Sequence, residues 1–162
     1  TSGQTIRLEI EPGRYLVAES GFLVTQIRAV KTMDNNLFYL VDAGFNNLAR
    51  PIMYGSYHPI SLAVTDRNDR AQREVIVGGP LCESGDIFTQ QEGGYVSPRS
   101  LPVGQIGDFV VIECAGSYGA VMGSNYNSKP LAAEVLIRDG VAHLVRDRQS
   151  FEDLLRGEKI PE

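Results

Sequence analysis

Cysteine occurs only twice in the 162 residues, at Cys82 and Cys114, and histidine only twice, at His58 and His143. Each cysteine closes an apolar run. That argues against a disulfide framework and for reduced thiols in a cytoplasmic protein. Neither histidine has a cysteine at ligand spacing, so no structural metal site is expected. No apolar stretch approaches the ~20 residues that span a bilayer, and no secretory leader is read in the chain. The formal net charge of −5 excludes a general binder of nucleic acid or anionic membrane. There is no G-x-S-x-G elbow and no GK[ST] phosphate loop; a serine–histidine–aspartate arrangement of another kind is left open. Internal repeats, heptads and low-complexity tracts are also missing.

What is present is a series of short strands. The apolar fraction, 43%, is ordinary for a globular chain with one real core. Arg7-Leu8-Glu9-Ile10 and residues 25–31 alternate at period two. Residues 37–41, 74–77, 109–113 and 134–138 are short apolar runs. Asp139-Gly140 is a two-residue hairpin turn, with residues 141–145 as the return strand. Many short strands with Gly, Pro and Asn turns predict a mainly β fold, a β-sandwich or barrel. Helical signals are few. Residues 15–23 form one short candidate. Ser150, with Asp153 three residues on, opens a terminal helix. Residues 64–74 and 89–100 are polar and predict exposed loops.

Three loops carry the chemistry. In residues 79–86 (GPLCESGD) the run Val75-Ile76-Val77 delivers Cys82, Glu83 and Asp86 inside a Gly/Pro frame. Cys82 as a small buried hydrophobe and Glu83 as a solvated acid are the plain alternatives. In residues 115–119 (AGSYG) glycines flank Tyr118 and expose a hydroxyl able to donate to phosphate or carboxylate. In residues 11–14 (EPGR) Gly13 allows close approach to an anion and Arg14 can grip it; an ordinary turn is the alternative. Arg50 and Tyr54, with Tyr57-His58-Pro59, make a fourth polar-aromatic group.

Taken in order, EPGR at 11–14, residues 41–60, GGPLCESGDIF at 78–88, residues 115–136 and RDRQSFEDLL at 146–155 resemble one family. The chain looks like the C-terminal half of a diaminopimelate decarboxylase, a group IV, pyridoxal-phosphate-dependent enzyme of the alanine-racemase-like fold (fold type III). The resemblance covers nearly the whole chain. It implies an N-terminal (β/α)8 barrel carrying the cofactor lysine, followed by a C-terminal β domain. Residues 1–30 would be the end of the barrel: its last strand, the EPGR loop and a short helix. Residues 31–162 would be the β domain. Active sites would be shared between the subunits of a homodimer. Gly13 and Tyr118 would meet the cofactor phosphate, and Arg14 the substrate carboxylate. Arg50 and Tyr54 would hold the distal carboxylate end. Cys82 and Glu83 would both reach into the neighbouring subunit's site, where Glu83 would accept the distal ammonium and Cys82, the catalytic candidate, would sit beside the reacting centre.

Such chemistry needs a lysine imine with pyridoxal phosphate. The chain has Lys31, Lys129 and Lys159 only, none in the matching barrel segment. It is therefore expected to be inactive alone, and apolar surface meant for the barrel should make it sticky or dimeric. Departures from the family pattern are Ser117 before Tyr118, Gly123, Lys129 and Asn47. Two alternatives stand beside this reading. One is a stand-alone β domain that binds a decarboxylase subunit or an amino acid. The other is a related decarboxylase with another amino-acid substrate.

Overall fold

In the computed structural model, residues 3, 5–64, 66 and 69–161 are described. The strands in chain order are β1 (Leu23–Met33), β2 (Asn36–Val41), β3 (Ile60–Ala63), β4 (Gln72–Gly78), β5 (Gln90–Gln91), β6 (Tyr95–Val96), β7 (Arg99–Pro102), β8 (Phe109–Ile112), β9 (Glu134–Arg138) and β10 (Val141–Arg146). Three short α-helices join them: α1 (Gly13–Val17), α2 (Arg50–Tyr54) and α3 (Phe151–Leu154).

Six strands form the main sheet in the order β3-β8-β1-β2-β4-β7. Every pair is antiparallel except β2–β4. The outermost strands, β3 and β7, touch, so the sheet nearly closes on itself. Closure removes exposed edges. It also encloses a core of Ile27, Tyr39, Val41, Leu48, Val75, Val77, Phe88, Leu101, Val110 and Ile112. The mainly β barrel-like reading stands. β1 pairs with β8 over residues 23–26 and with β2 over residues 27–33. The domain division expected after residue 30 thus falls within one continuous strand.

Two polar devices hold the barrel. Tyr39 is fully buried; its hydroxyl donates to the Pro102 carbonyl at 2.8 Å and accepts from the Gly104 N–H at 2.6 Å. Arg70 pairs with the buried Asp108 and with Asp66, and donates to the Val103 carbonyl. Both groups thus tie the sheet side of the molecule together.

The hairpin β9–β10 forms as its Asp139-Gly140 turn predicts, with φ of 52° and 77° at the two turn residues. Left-handed φ at both central positions is the turn that matches strand twist. The α3 capping box also forms: Ser150 accepts from the Asp153 N–H, and Asp153 from the Ser150 N–H.

Three local expectations need correction. Residues 7–10 are not a strand, although Ile6, Leu8 and Ile10 alternate and are all exposed. Alternation specifies a face, but a strand also needs a neighbour to pair with, and none is present among the described residues. Residues 89–100 are not one exposed loop. They contain β5, β6 and the start of β7, and Thr89 and Gln90 are buried. Of residues 64–74, the last three open β4, while residues 65, 67 and 68 lie outside the described residues. Among the described residues no helix is long and apolar enough to cross a membrane.

Candidate active site

Interlocked glycines bring the N-terminal segment to the 115–119 loop. A Cβ on Gly21 would lie 2.4 Å from the Gly116 Cα, and one on Gly116 would lie 2.0 Å from the Val17 carbonyl oxygen. Only two glycines allow this approach. The Ala115 N–H donates to the Gly21 carbonyl at 2.8 Å, and the Gly116 N–H to the Ala18 carbonyl at 3.0 Å. Tyr118 adopts a left-handed φ of 57°, uncommon for an aromatic residue and typical of functional sites. Its hydroxyl hangs over Gly13, where a Cβ would lie 2.9 Å from the phenolic oxygen.

Arg50 starts α2, with Pro51 next, where a missing N–H costs nothing. Only 9% of the Arg50 surface is exposed. Its guanidinium lies 5.2 Å from the Tyr54 ring centroid and 5.4 Å from the Tyr118 ring centroid. It donates to Ser56 Oγ at 3.1 Å. Burial pushes its pKa down, and the positive charge of Arg14 adds to that. Among the described residues neither Arg14 nor Arg50 has a carboxylate at ion-pair distance. Buried charges are normally paired. Two guanidinium groups, one buried and unpaired between two tyrosines, make a site that an anion would complete.

His58 sits behind this cluster, buried, with Nδ1 2.9 Å from the Glu113 carbonyl oxygen. Burial lowers its pKa, and Arg50 and Arg14 lower it further. The neutral ring donates through Nδ1–H. Its histidine type and proline neighbour were visible in sequence; the burial that keeps it neutral was not.

The 79–86 loop is built on Asp86. This carboxylate is buried and accepts from the Phe45 N–H at 2.7 Å and the Leu81 N–H at 2.8 Å. Burial raises its pKa, although the two N–H groups partly offset this. Gln90 donates to the Gly85 and Ile87 carbonyls, bracing the loop from β5. Asp86 is thus a scaffold residue. An Asp five residues after Leu81 in a Gly frame was its only sequence signal.

Cys82 is exposed with a free thiol. Glu83 is exposed too; hydrogen bonds from the Gly85 N–H and the Ser84 hydroxyl hold its pKa below the usual carboxylate range. A Cβ on Gly85 would lie 2.6 Å from Ile52 Cδ1 of α2, so the loop packs against the helix that carries Arg50 and Tyr54. The structure therefore brings Gly13, Arg14, Arg50, Tyr54 and Tyr118 together. Cys82 and Glu83 are displayed separately. No hydrogen bond, ion pair or ring contact joins them to that cluster among the described residues.

Residues 14–116 match the C-terminal sheet domain of the pyridoxal-dependent decarboxylases. Diaminopimelate decarboxylase of Escherichia coli K12 is 56% identical over 94% of this chain, which covers 37% of that protein. The Streptomyces coelicolor enzyme of the same name is 51% identical over 98% of the chain, again covering 37% of that protein. A crystal structure of a diaminopimelate decarboxylase superposes with a TM-score of 0.86 at 56% identity, covering 94% of this chain and 37% of that one. The Helicobacter pylori diaminopimelate decarboxylase complexed with L-lysine superposes with a TM-score of 0.78 at 38% identity, covering 90% and 34%. The chain thus spans little more than a third of the length of the curated relatives it matches. It belongs to the pyridoxal-dependent decarboxylases, as the sheet domain of that family.

Proposed function

We propose that this chain is the C-terminal part of a diaminopimelate decarboxylase. In the complete protein the bond between one α-carbon of meso-2,6-diaminopimelate and its carboxylate breaks. CO2 leaves, a proton takes its place, and L-lysine results. The unpaired Arg50 guanidinium carries this reading. Its burial between Tyr54 and Tyr118 is costly without an anion, and an amino acid with two carboxylates supplies one.

The residues present also fit pyridoxal phosphate. A Cβ on Gly13 would lie 2.9 Å from the Tyr118 phenolic oxygen, so the glycine leaves bare backbone beside a hydroxyl donor, a pairing suited to a phosphate. Gly13 and Tyr118 would hold that phosphate. When bound, the cofactor supplies the electron sink that decarboxylation needs. Arg14 orients a substrate carboxylate, and Arg50 with Tyr54 holds the distal one bidentately. Glu83 receives the distal ammonium and Cys82 stands beside the reacting carbon, both in the site of the neighbouring subunit of a homodimer. Requiring both an anion and a cation partner at one end discriminates strongly against substrates lacking either.

The rest of the protein is a barrel that supplies the imine-forming lysine; this chain alone is inactive. The end of that barrel lies within residues 1–30, and the sheet domain follows it. Exposure of Ile6, Leu8 and Ile10, and of every residue of β10, supports partners on both surfaces. The cytoplasm suits the free thiols. The test is lysine formation from meso-2,6-diaminopimelate by the full-length protein with pyridoxal phosphate. Stoichiometric lysine and CO2 are expected. No turnover, or faster turnover of another amino acid, overturns the reading.

A further inference from the structure

The two oxygens of Glu83 are held differently. Oε1 accepts from the Ser84 hydroxyl and from the Gly85 N–H, both at 3.2 Å. Both donors belong to its own loop. Oε2 accepts from the Tyr126 hydroxyl at 3.5 Å, across 43 residues of sequence. Tyr126 is therefore the only donor that fixes this carboxylate from outside its loop among the described residues.

Tyr126 is itself held on several sides. Its ring lies 4.7 Å from the Phe45 ring, tilted by 55°. The Phe45 N–H is anchored by Asp86, the residue on which the Glu83 loop is built. The Ser124 N–H donates to the Asn46 carbonyl at 2.9 Å. Asn125 Nδ2 donates to the Lys129 carbonyl and to Gln149 Oε1. Asn127 and Ser128 both adopt a left-handed φ of 54°, which asparagine tolerates and which is uncommon for serine. Three contacts with the rest of the chain, to the Phe45 ring, the Asn46 carbonyl and Gln149, thus hold the turn that presents this hydroxyl beside Glu83.

We propose that Tyr126 is a positioning residue for Glu83. It pins Oε2, so that the carboxylate offers its remaining lone pairs to an ammonium group in one fixed orientation. Ring contact with Phe45 sets the reach of the hydroxyl, and Ser84 with Gly85 prevents rotation at the other oxygen. The inference rests on the reading of Glu83 as the partner of the substrate's distal ammonium. At 3.5 Å the bond is at the weak end of its range, so its loss should have a modest effect.

The test is a double-mutant cycle in the full-length holoenzyme with meso-2,6-diaminopimelate, using Tyr126→Phe, Glu83→Gln and the pair. Tyr126→Phe keeps the ring on Phe45 and removes only the hydroxyl. It should raise KM about threefold, with kcat changed by less than about twofold. On the Glu83→Gln background it should add nothing. If that variant turns over too slowly, L-lysine affinity, followed by cofactor absorbance, closes the same cycle. An unchanged KM in Tyr126→Phe, or an equal effect on both backgrounds, overturns the proposal while leaving the decarboxylase reading intact. A wild-type protein inert toward diaminopimelate overturns both.

Discussion

Replacing Arg50 by Met separates a binding arginine from a structural one. Met keeps much of the length and apolar contact of the side chain but removes the charge. Two cation–π contacts, at 5.2 Å and 5.4 Å, are lost, each worth about 0.5–1 kcal/mol. Against that, the cost of burying an unpaired cation beside Arg14 disappears. The opposing terms are of similar size, so the stability of this chain should change by less than about 1 kcal/mol, read by urea unfolding. Arg70→Met is the contrast. It leaves buried Asp108 without the guanidinium it pairs with, and should destabilise the chain clearly more than Arg50→Met. In the full-length enzyme the order reverses. Loss of a charge-assisted bond to a carboxylate costs about 1.5–3 kcal/mol, or about 10- to 150-fold in kcat/KM. Arg70→Met should leave kcat/KM of the folded fraction near wild type. If Arg50→Met unfolds the chain as readily as Arg70→Met, and kcat/KM is unaffected, Arg50 is a structural residue and the anion-site argument fails.

Other outcomes follow from the same geometry. Tyr39→Phe strands the Pro102 carbonyl and the Gly104 N–H inside the barrel and should cost about 1–3 kcal/mol in urea unfolding. Gly116→Ala places a methyl 2.0 Å from the Val17 carbonyl oxygen. It should free the Gly13–Ser20 segment, seen as faster amide exchange there, while the Tyr39 and Val77 amides stay protected. Burial holds the His58 pKa below its ordinary 6.5. The unfolded chain therefore takes up that proton at higher pH than the folded chain. Stability should fall as pH drops from about 6.5 toward the folded pKa, by at most about 1.4 kcal/mol per pH unit for one proton. His58→Asn should flatten that slope above the carboxylate range; an unchanged slope refutes it.

Much of the sheet was legible because its signals are local. Val75-Ile76-Val77 and residues 109–112 are apolar runs that become β4 and β8, and Asp139-Gly140 dictates its own hairpin. Residues 7–10 misled because alternation describes only the strand's own faces. Thr89 and Gln90 misled in the other direction. They read as solvent-facing, yet Thr89 accepts from the Val77 N–H and Gln90 ties the Cys82–Glu83 loop. At the site, residue type and flanking glycines drew notice to Gly13, Arg14, Cys82, Glu83 and Tyr118 with ordinary turns and solvated side chains as alternatives, and the roles of these residues, with those of Arg50 and Tyr54, came from the family resemblance. What no pattern carried was the partnership between them. The Gly21–Gly116 interlock joins distant parts of the chain. The unpaired state of Arg50 depends on which carboxylates do not reach it. Asp86 reads in sequence as a second reactive acid beside Glu83, but its oxygens accept from the Phe45 and Leu81 N–H groups.

Arg50 stands between Tyr54 and Tyr118 as a buried cation with no carboxylate partner among the described residues. A crystal structure of the full-length protein with pyridoxal phosphate and a non-reacting analogue of meso-2,6-diaminopimelate would show what this guanidinium binds. The distal carboxylate is expected within hydrogen-bond distance of the Arg50 guanidinium, with the distal ammonium on the Glu83 carboxylate that the neighbouring subunit extends into the same site. A ligand bound elsewhere, with Arg50 paired to a carboxylate of the protein itself, would contradict it.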